Sequence, residues 1–410
     1  MFNFKISNSS ILRAILFLYL VFAVGLYGSP NLTIYPQLIG VLLSVVFFGS
    51  VLIKKTVLVF TIPLKILVIF LFYAFLSTIL FSTSLGFFFT ILQVILLIII
   101  VYNILLKSNT YGFFYWGITI GCLLIIFLQV IGGRPLIAIG IIILDRLGGT
   151  AGNVNDYAFI LCTAINLLLF SFYVDANKKK MFYWKILKLL IILLFAIEII
   201  FFTLSKTGLV IMLFSFIIFS FNYIIKSSVI SKFLVVTAVL ILYLMVNPNS
   251  IEIELSVFDR FLGMYDTLSD NSSYEDGSTS QRSDLITEGI RLWPERPLLG
   301  WGPGQYASVN KVGFGVYSHN NFIEVLVNFG LLGFFIFYSV HIYLLRKLFK
   351  LKKMKQRNNE VNWLLVMLFS LLIIDLTFVT YYNKIYFINL AFILVNVRKL
   401  ETYFKLKIIK

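Results

Sequence analysis

Charged side chains are scarce in this sequence: Asp, Glu, Lys and Arg together make up 13% of it, against about 25% in a soluble domain. Too few polar groups remain to cover a water-facing surface, which excludes an ordinary soluble fold. Acidic residues are the scarcer sign, 18 against 34 basic ones. Only 2 cysteines occur, Cys122 and Cys162, both inside apolar runs, so a disulfide framework and a cysteine metal site are excluded. Histidine is equally rare, with 2 in the chain. No Asp-x-Asp motif and no His/Cys cluster at ligand spacing is present, so the expected chemistry uses neither a metal nor a cofactor.

What the chain has in abundance is apolar sequence: 60% of its residues are hydrophobic and 17% aromatic, with a mean hydropathy of +0.97. Runs of helix-spanning length, about 20 residues, lie at roughly 11–27, 32–53, 60–81, 85–106, 111–132, 157–174, 184–204, 207–225, 229–246, 318–345, 361–381 and 384–397. The expectation is an all-α polytopic membrane protein, one integral membrane domain over 1–410 with about twelve transmembrane helices. The first run has a basic flank and small residues near Gly25 to Ser29 but no A-x-A-like cleavage site, so it is read as a retained span.

The basic residues test that count, because short cytoplasmic loops collect Lys and Arg. With Lys5 and Arg13 inside, every even-numbered connection is basic: Lys54 and Lys55, Lys107, Lys178 to Lys188, Lys226 and Lys232, Arg346 to Arg357, and the tail from Arg398 to Lys410. The net charge of +16 follows from this bias and from attraction to anionic membrane lipids, and nucleic acid is not an expected partner.

Two connections on the opposite side are long. One, at 133–156, carries Arg134, Arg146, Gly148-Gly-Thr-Ala-Gly-Asn153 and Asn155, and encloses Pro135 to Leu144, an apolar run too short to cross and better suited to a re-entrant segment. The other, 247–317, is the large extracytoplasmic loop. Its middle, Ser269 to Ser280, is acidic and polar, and Arg282 to Trp293 then alternates at helical spacing before Pro294. An amphipathic surface helix is expected there, with Leu285, Ile286, Ile290 and Trp293 turned inward and Arg282 and Arg291 on the polar side. A short turn, Leu204-Ser-Lys-Thr-Gly208, places Lys206 at the same edge.

After the amphipathic segment comes Arg296-Pro-Leu-Leu-Gly-Trp-Gly-Pro-Gly-Gln-Tyr306, then Ser318-His-Asn-Asn-Phe-Ile-Glu324, then Gly330-Leu-Leu-Gly333. This series resembles the O-antigen ligase and O-antigen/capsule polymerase superfamily, whose signature is a Pro-Leu-x-Gly-x-Gly turn, His-Asn at a helix start, and Gly-x-x-Gly. The likeness is strongest from about Ser280 to Gly333. Arg282 stands where the family has an arginine, and Arg146-Leu-Gly-Gly-Thr150 with Asn153 also looks family-like. Ser205-Lys-Thr-Gly208 takes the place of the family's Ser-Arg-x-Gly turn, so Lys206 keeps the charge and lacks the bidentate fork. The resemblance implies a helical membrane glycosyltransferase of the cytoplasmic (inner) membrane, acting at its outer face by inverting, metal-independent transfer. It implies a lipid-linked oligosaccharide donor and acceptor, with a chain-length regulator and a flippase as further partners.

The residues fit that chemistry. Arg146, Lys206, Arg282 and Arg291 are the expected grip on an undecaprenyl diphosphate, because the leaving group gains negative charge as the glycosidic bond breaks. His319 is the expected general base toward the acceptor hydroxyl; a helix-start histidine bonded to backbone is the plainer alternative. Asn320, Glu324 and Asn328 follow at four-residue steps as a polar stripe, with Glu324 orienting His319, touching acceptor, or simply bonding a neighbouring helix. Gly300 and Gly302 shape the turn, and Gly330 and Gly333 permit close helix approach. Glu198 and Asp375 lie in apolar spans with nothing in the sequence to bring them to the site. His341 falls 22 residues beyond His319, about 33 Å along a continuous helix, and is expected to take no part.

A polymerase of lipid-linked repeat units is the favoured function, on the Lys-, Ile-, Phe- and Asn-rich usage typical of chains whose loci encode individual capsule polymerases. The alternatives are an O-antigen ligase and, from another class, a polysaccharide flippase or transporter. A flippase would keep its cations near the midplane within pseudo-symmetric halves, and neither feature is evident. If the topology is right, a single cysteine introduced by Ser278→Cys reacts with an impermeant thiol reagent on intact cells, or on spheroplasts where an outer membrane is present. Labelling only after lysis overturns it.

Overall fold

The computed structural model describes residues 8–29, 32–132, 148, 153–174, 182–224, 277–313, 315–354 and 357–408. All regular structure among them is helical: α1 (Asn8–Gly25), α2 (Ile34–Leu52), α3 (Ile62–Leu80), α4 (Leu85–Lys107), α5 (Gly112–Ile131), α6 (Val154–Val174), α7 (Phe182–Ile197), α8 (Lys206–Ile224), α9 (Gly277–Leu292), α10 (Tyr306–Val309), α11 (Asn321–Lys353), α12 (Asn358–Asp375) and α13 (Lys384–Ile408). A π-turn at Glu198–Thr203 extends α7, and a 3-10 turn at Trp293–Glu295 follows α9.

Eight of the described helices are long and apolar enough to cross a membrane, and α1 and α8 supply shorter apolar helices. The expected span at 229–246 lies outside the described residues, as do the run Pro135 to Leu144 and most of the two long connections. Within the bundle α6 is almost wholly buried, whereas α2 turns most of its surface outward. The main packings are α1 on α5, α4 on α13, and α3 on α11.

The connections sort to two ends. At one, the Tyr27 hydroxyl and Asp156 both accept from the Asn383 amide at 3.1 Å, Ser205 donates to Asn155 at 2.8 Å, and Asn153 donates to the Tyr317 hydroxyl at 3.2 Å. At the other, Lys399 Nζ donates to the carbonyls of Leu105 and Ser108 at 3.1 and 2.5 Å, and Lys347 pairs with Glu401 at 2.6 Å. Asn383 and Lys399 stand toward opposite ends of α13, so Lys347 and Lys399 lie at the end away from Tyr317.

The helix expected to run unbroken from His319 to His341 is broken. Gly330 has φ 61° and ψ −170°, a conformation essentially confined to glycine. Its two halves, 321–329 and 331–353, fold against each other: the Asn321 amide donates to the Tyr338 hydroxyl at 2.9 Å, and Phe322 stacks on Tyr338 with centroids 4.7 Å apart. Residues 17 apart on a straight helix stand about 25 Å from one another, so a sharp fold-back is the only arrangement that brings them into contact.

Breaking a helix orphans carbonyls on one side and amides on the other, which an apolar bundle cannot leave unpaired. The strap 297–302 pairs both sets. Trp301 and Gly302 amides donate to the carbonyls of Val327 and Asn328 at 2.9 and 2.8 Å, and the amides of Leu331 and Leu332 donate to Pro297 and Leu298 at 2.9 and 3.2 Å. The Tyr73 hydroxyl adds bonds to the carbonyls of Phe329 and Leu299 at 2.8 and 3.1 Å. Contact this close admits no side chain on either strand: a Cβ on Gly300 would lie 2.5 Å from the Asn328 carbonyl, and one on Gly330 would lie 2.3 Å from Leu298 O.

Gly330→Ala and Gly300→Ala are therefore expected to lower the thermal unfolding midpoint in detergent, the backbone strain alone costing roughly 1–3 kcal/mol. Gly49→Ala is the control: a Cβ there meets nothing within 4 Å, and α2 should be unharmed or stabilised. Equal behaviour of the three would refute the strap.

Candidate functional site

His319 sits in the turn just before α11 with φ 53°, a left-handed conformation uncommon outside glycine. The turn is held on both sides. Glu324 accepts from the Ser318 amide at 2.8 Å through Oε2 and from the Asn328 amide group at 3.2 Å through Oε1. Asn320 caps the helix, its Oδ1 accepting from Ile323 N at 3.1 Å. Asn321 Oδ1 takes the amides of Thr380 and Tyr381 at 2.9 and 3.0 Å. Glu324 thus orients His319 through the backbone of its neighbour, and the polar stripe serves as the joint of the turn.

The imidazole rests against Tyr317 with ring centroids 4.2 Å apart. Its Nδ1 is buried and has no hydrogen-bond partner among the described residues, while the residue as a whole is partly exposed. Burial first, and the positive charge of Arg282 second, push the imidazole pKa down to about 4. At neutral pH the ring is an uncharged base.

Arg282 reaches this region from α9, which leans on the first half of α11 where Gly289 meets Ile323: a Cβ on Gly289 would lie 2.2 Å from that side chain. Leu285 and Leu292 are buried on the same face, and the Tyr306 hydroxyl donates to Leu285 O at 2.5 Å. The inward stripe differs from the expected one. Ile290 is 55% exposed and Glu288 is buried in its stead, because Glu288 accepts the Lys311 amide at 3.2 Å and the Arg291 guanidinium at 2.7 and 2.8 Å.

That pairing separates the two arginines. Nine residues on a helix correspond to about 180°, so Arg291 points away from Arg282 and is held by Glu288 and Glu295. The ion pair with Arg291 keeps the Glu288 carboxyl below its usual range. Arg146 lies outside the described residues. Lys206 begins α8 beside Ser205, whose hydroxyl receives the Gly208 amide at 3.2 Å and donates to Asn155. That link joins the Lys206 turn to the segment from Asn153 to Asp156, and Asn153 in turn holds Tyr317. Gly300 and Gly302 belong to the strap.

Several members of the site carry no sequence signature. Burial, then Asp156, raises the Tyr317 pKa, while the charge of Arg282 opposes them; Asp156 is itself bonded to Asn383. The segment Thr380 to Asn383 reads in sequence as a plain gap between apolar runs. Below it, Asp375 accepts from the hydroxyls of Thr380, Tyr386 and Tyr338, and the Tyr386 hydroxyl lies 2.6 Å from His341 Nε2. The straight-helix distance between His319 and His341 therefore does not apply. The fold-back at Gly330 connects His341 and Asp375, through Tyr338 and Asn321, to the turn that carries His319. Glu198, at the start of the π-turn that extends α7, accepts from the Tyr157 hydroxyl at 3.2 Å.

At one end of the helical bundle, then, a strap-bound break in a helix supports a turn in which an uncharged His319 lies within the field of Arg282. Residues 189–338, from within α7 to beyond the Gly330 break, match the family model described as O-antigen ligase. Over those residues, rather more than a third of the chain, the sequence is similar to that family, in keeping with the apolar helices of a multi-pass membrane protein. No curated protein matches the chain significantly.

With 2 histidines in the sequence, solid-state NMR of protein labelled with 15N-histidine, carrying a histidine-free tag, resolves two rings in bilayers. The His319 ring is expected to titrate near 4. In Arg282→Ala its pKa should rise yet stay below 6.5, since burial, the larger cause, remains. No change on removing Arg282 would show that the two groups do not interact.

Proposed function

We propose that this protein polymerises lipid-linked oligosaccharide repeat units of a surface polysaccharide, at the outer face of the cytoplasmic membrane. The observation that carries the reading is the neutral His319 beside the charge of Arg282, in a turn whose backbone is fixed by Glu324, Asn320 and Asn321. Arg282, joined by Lys206 and Arg146, binds the diphosphate of an undecaprenyl-linked donor and stabilises the charge that grows there as the glycosidic bond breaks. The acceptor hydroxyl attacks the anomeric carbon from the opposite face, giving inversion, and His319 takes its proton.

The low pKa of His319 suits this order of events. Without donor, Arg282 opposes protonation of the ring. A bound diphosphate offsets that charge, and the imidazole becomes a stronger base when substrate is present. A second reading, ligation of the finished glycan to lipid A core or another acceptor, is favoured by the likeness of residues 189–338 to the O-antigen ligase family. The two differ only in acceptor.

Purified protein given synthetic lipid-linked repeat units, with a chelator present, is expected to elongate them; failure to elongate until a separate acceptor is supplied would establish the ligase. His319→Ala should lower the rate about 10²–10⁴-fold, the usual contribution of positioned proton transfer, while lipid-linked units accumulate. Arg282→Ala should weaken donor use severely, Arg282→Lys should restore part of it, and Lys206→Arg should retain or improve activity. Near-normal elongation by His319→Ala, with folding and donor binding intact, removes the catalytic assignment.

A further inference from the structure

Arg296, at the start of the strap, takes no part in the site described above. Its guanidinium lies 4.9 Å from the Phe81 ring centroid and 4.3 Å from that of Trp301, and the residue is exposed. Among the described residues it has no ion-pair partner, in contrast to Arg291 one turn earlier, which holds two carboxylates. Two aromatic rings fix the plane of the cation, and its donors remain available.

The level at which it stands can be read from α3. Phe81 follows the last residue of that helix and lies in the short connection to α4, where an apolar hairpin meets the aqueous boundary. From Arg296 the strap descends: the carbonyl of Leu299 accepts from the Tyr73 hydroxyl at 3.1 Å, and Tyr73 lies about 12 Å deeper than Phe81 along α3. Between these levels Leu298 and Leu299 are 58% and 42% exposed, and Leu80 on the same stretch of α3 is 67% exposed. A guanidinium at the headgroup level thus stands above leucines exposed at the depth of the acyl chains.

We propose that Arg296, Leu298 and Leu299, with Phe81 and Trp301, form a binding site for a bilayer phospholipid: the phosphate sits on the Arg296 fork and an acyl chain lies over the two leucines. A phosphate matches the fork of an aromatic-stacked arginine, and tryptophan and arginine at a helix end are the usual membrane-boundary anchors. The occupant is a lipid of the bilayer because the site opens outward from the bundle and lies on the outer side of the strap, whose inner side fills the helix break. Lipid held there braces the strap that completes α11.

The test uses full-length protein in nanodiscs containing phosphatidylglycerol. Native mass spectrometry after partial delipidation is expected to show a retained phosphatidylglycerol on wild type. It should be lost in Arg296→Gln, partly kept in Arg296→Lys, and weakened in Leu298→Ser. A second measurement keeps only Trp301, the other 4 of the 5 tryptophans being replaced by phenylalanine, and follows its fluorescence with phosphatidylglycerol brominated high on the acyl chain. Quenching should be strong and should fall when Arg296→Gln is added. Equal retention and equal quenching with and without Arg296, in variants of unchanged unfolding midpoint, overturn the proposal. So does displacement of the phosphatidylglycerol by stoichiometric undecaprenyl phosphate, which would assign the site to the lipid carrier. The binding readouts need no turnover, so their outcome is independent of whether the chain is a polymerase or a ligase.

Discussion

Hydrogen-bonding groups of the backbone must find partners wherever water is excluded, and in this molecule that requirement is met across a broken helix. The break at Gly330 frees carbonyls at Val327, Asn328 and Phe329 and amides at Leu331 and Leu332, and the strap with Tyr73 takes up all of them. Each partner enforces the geometry of the other. The strap can pass this close to the break only because Gly300 has no side chain, and the helix can fold back only because Gly330 has none. Everything at the site hangs from this crossing: the first half of α11 carries Asn320, Asn321, Glu324 and Asn328, and these residues hold the turn in which His319 stands.

The same arrangement explains how polar chemistry coexists with an apolar surround. Apolar sequence from Leu331 to Leu345 covers about 22 Å, short of the roughly 30 Å of a bilayer core. The fold-back and the strap add to that length, and the polar turn is packed against them with Ser318 and Asn321 buried. Burial there accounts for most of the depressed pKa of His319. It also accounts for the Asp375 cluster, in which a carboxylate in an apolar helix is surrounded by three hydroxyl donors.

Much of this was legible in the residues. Runs of apolar sequence located most of the described helices, because length and hydropathy are what a membrane selects. The glycine-rich series and Ser318-His-Asn-Asn321 marked the right part of the chain. What the sequence did not disclose is where a helix reverses. Residues 318–345 read as one apolar run with a polar stripe, and nothing in a hydropathy pattern separates a long helix from two folded halves; only the left-handed Gly330 does. The straight-helix distance that set His341 aside rests on the same reading, and Asp375, on another helix, had nothing in the sequence to link it to the turn. The inward face of α9 was misread for a related reason: Glu288 is buried because Arg291 and the Lys311 amide satisfy it, a tertiary pairing that one helix's periodicity cannot reveal.

The bonds from Asn321 to the backbone of Thr380 and Tyr381 tie the turn to the connection between the final two helices. During synthesis the strap emerges before its helix break, and α3 with Tyr73 long before both, so the socket precedes the segment that fills it. The half-helix 321–329, with Asn321, Glu324 and Asn328 along it, makes a poor independent membrane segment and gains its last backbone partners only when Thr380 and Tyr381 arrive. Asn383, which bonds both Tyr27 and Asp156, closes the same corner against the first and sixth helices. The turn that carries His319 is therefore fastened last, and a ribosome that stalls before α13 leaves a chain with nearly all of its described helices and that turn still loose.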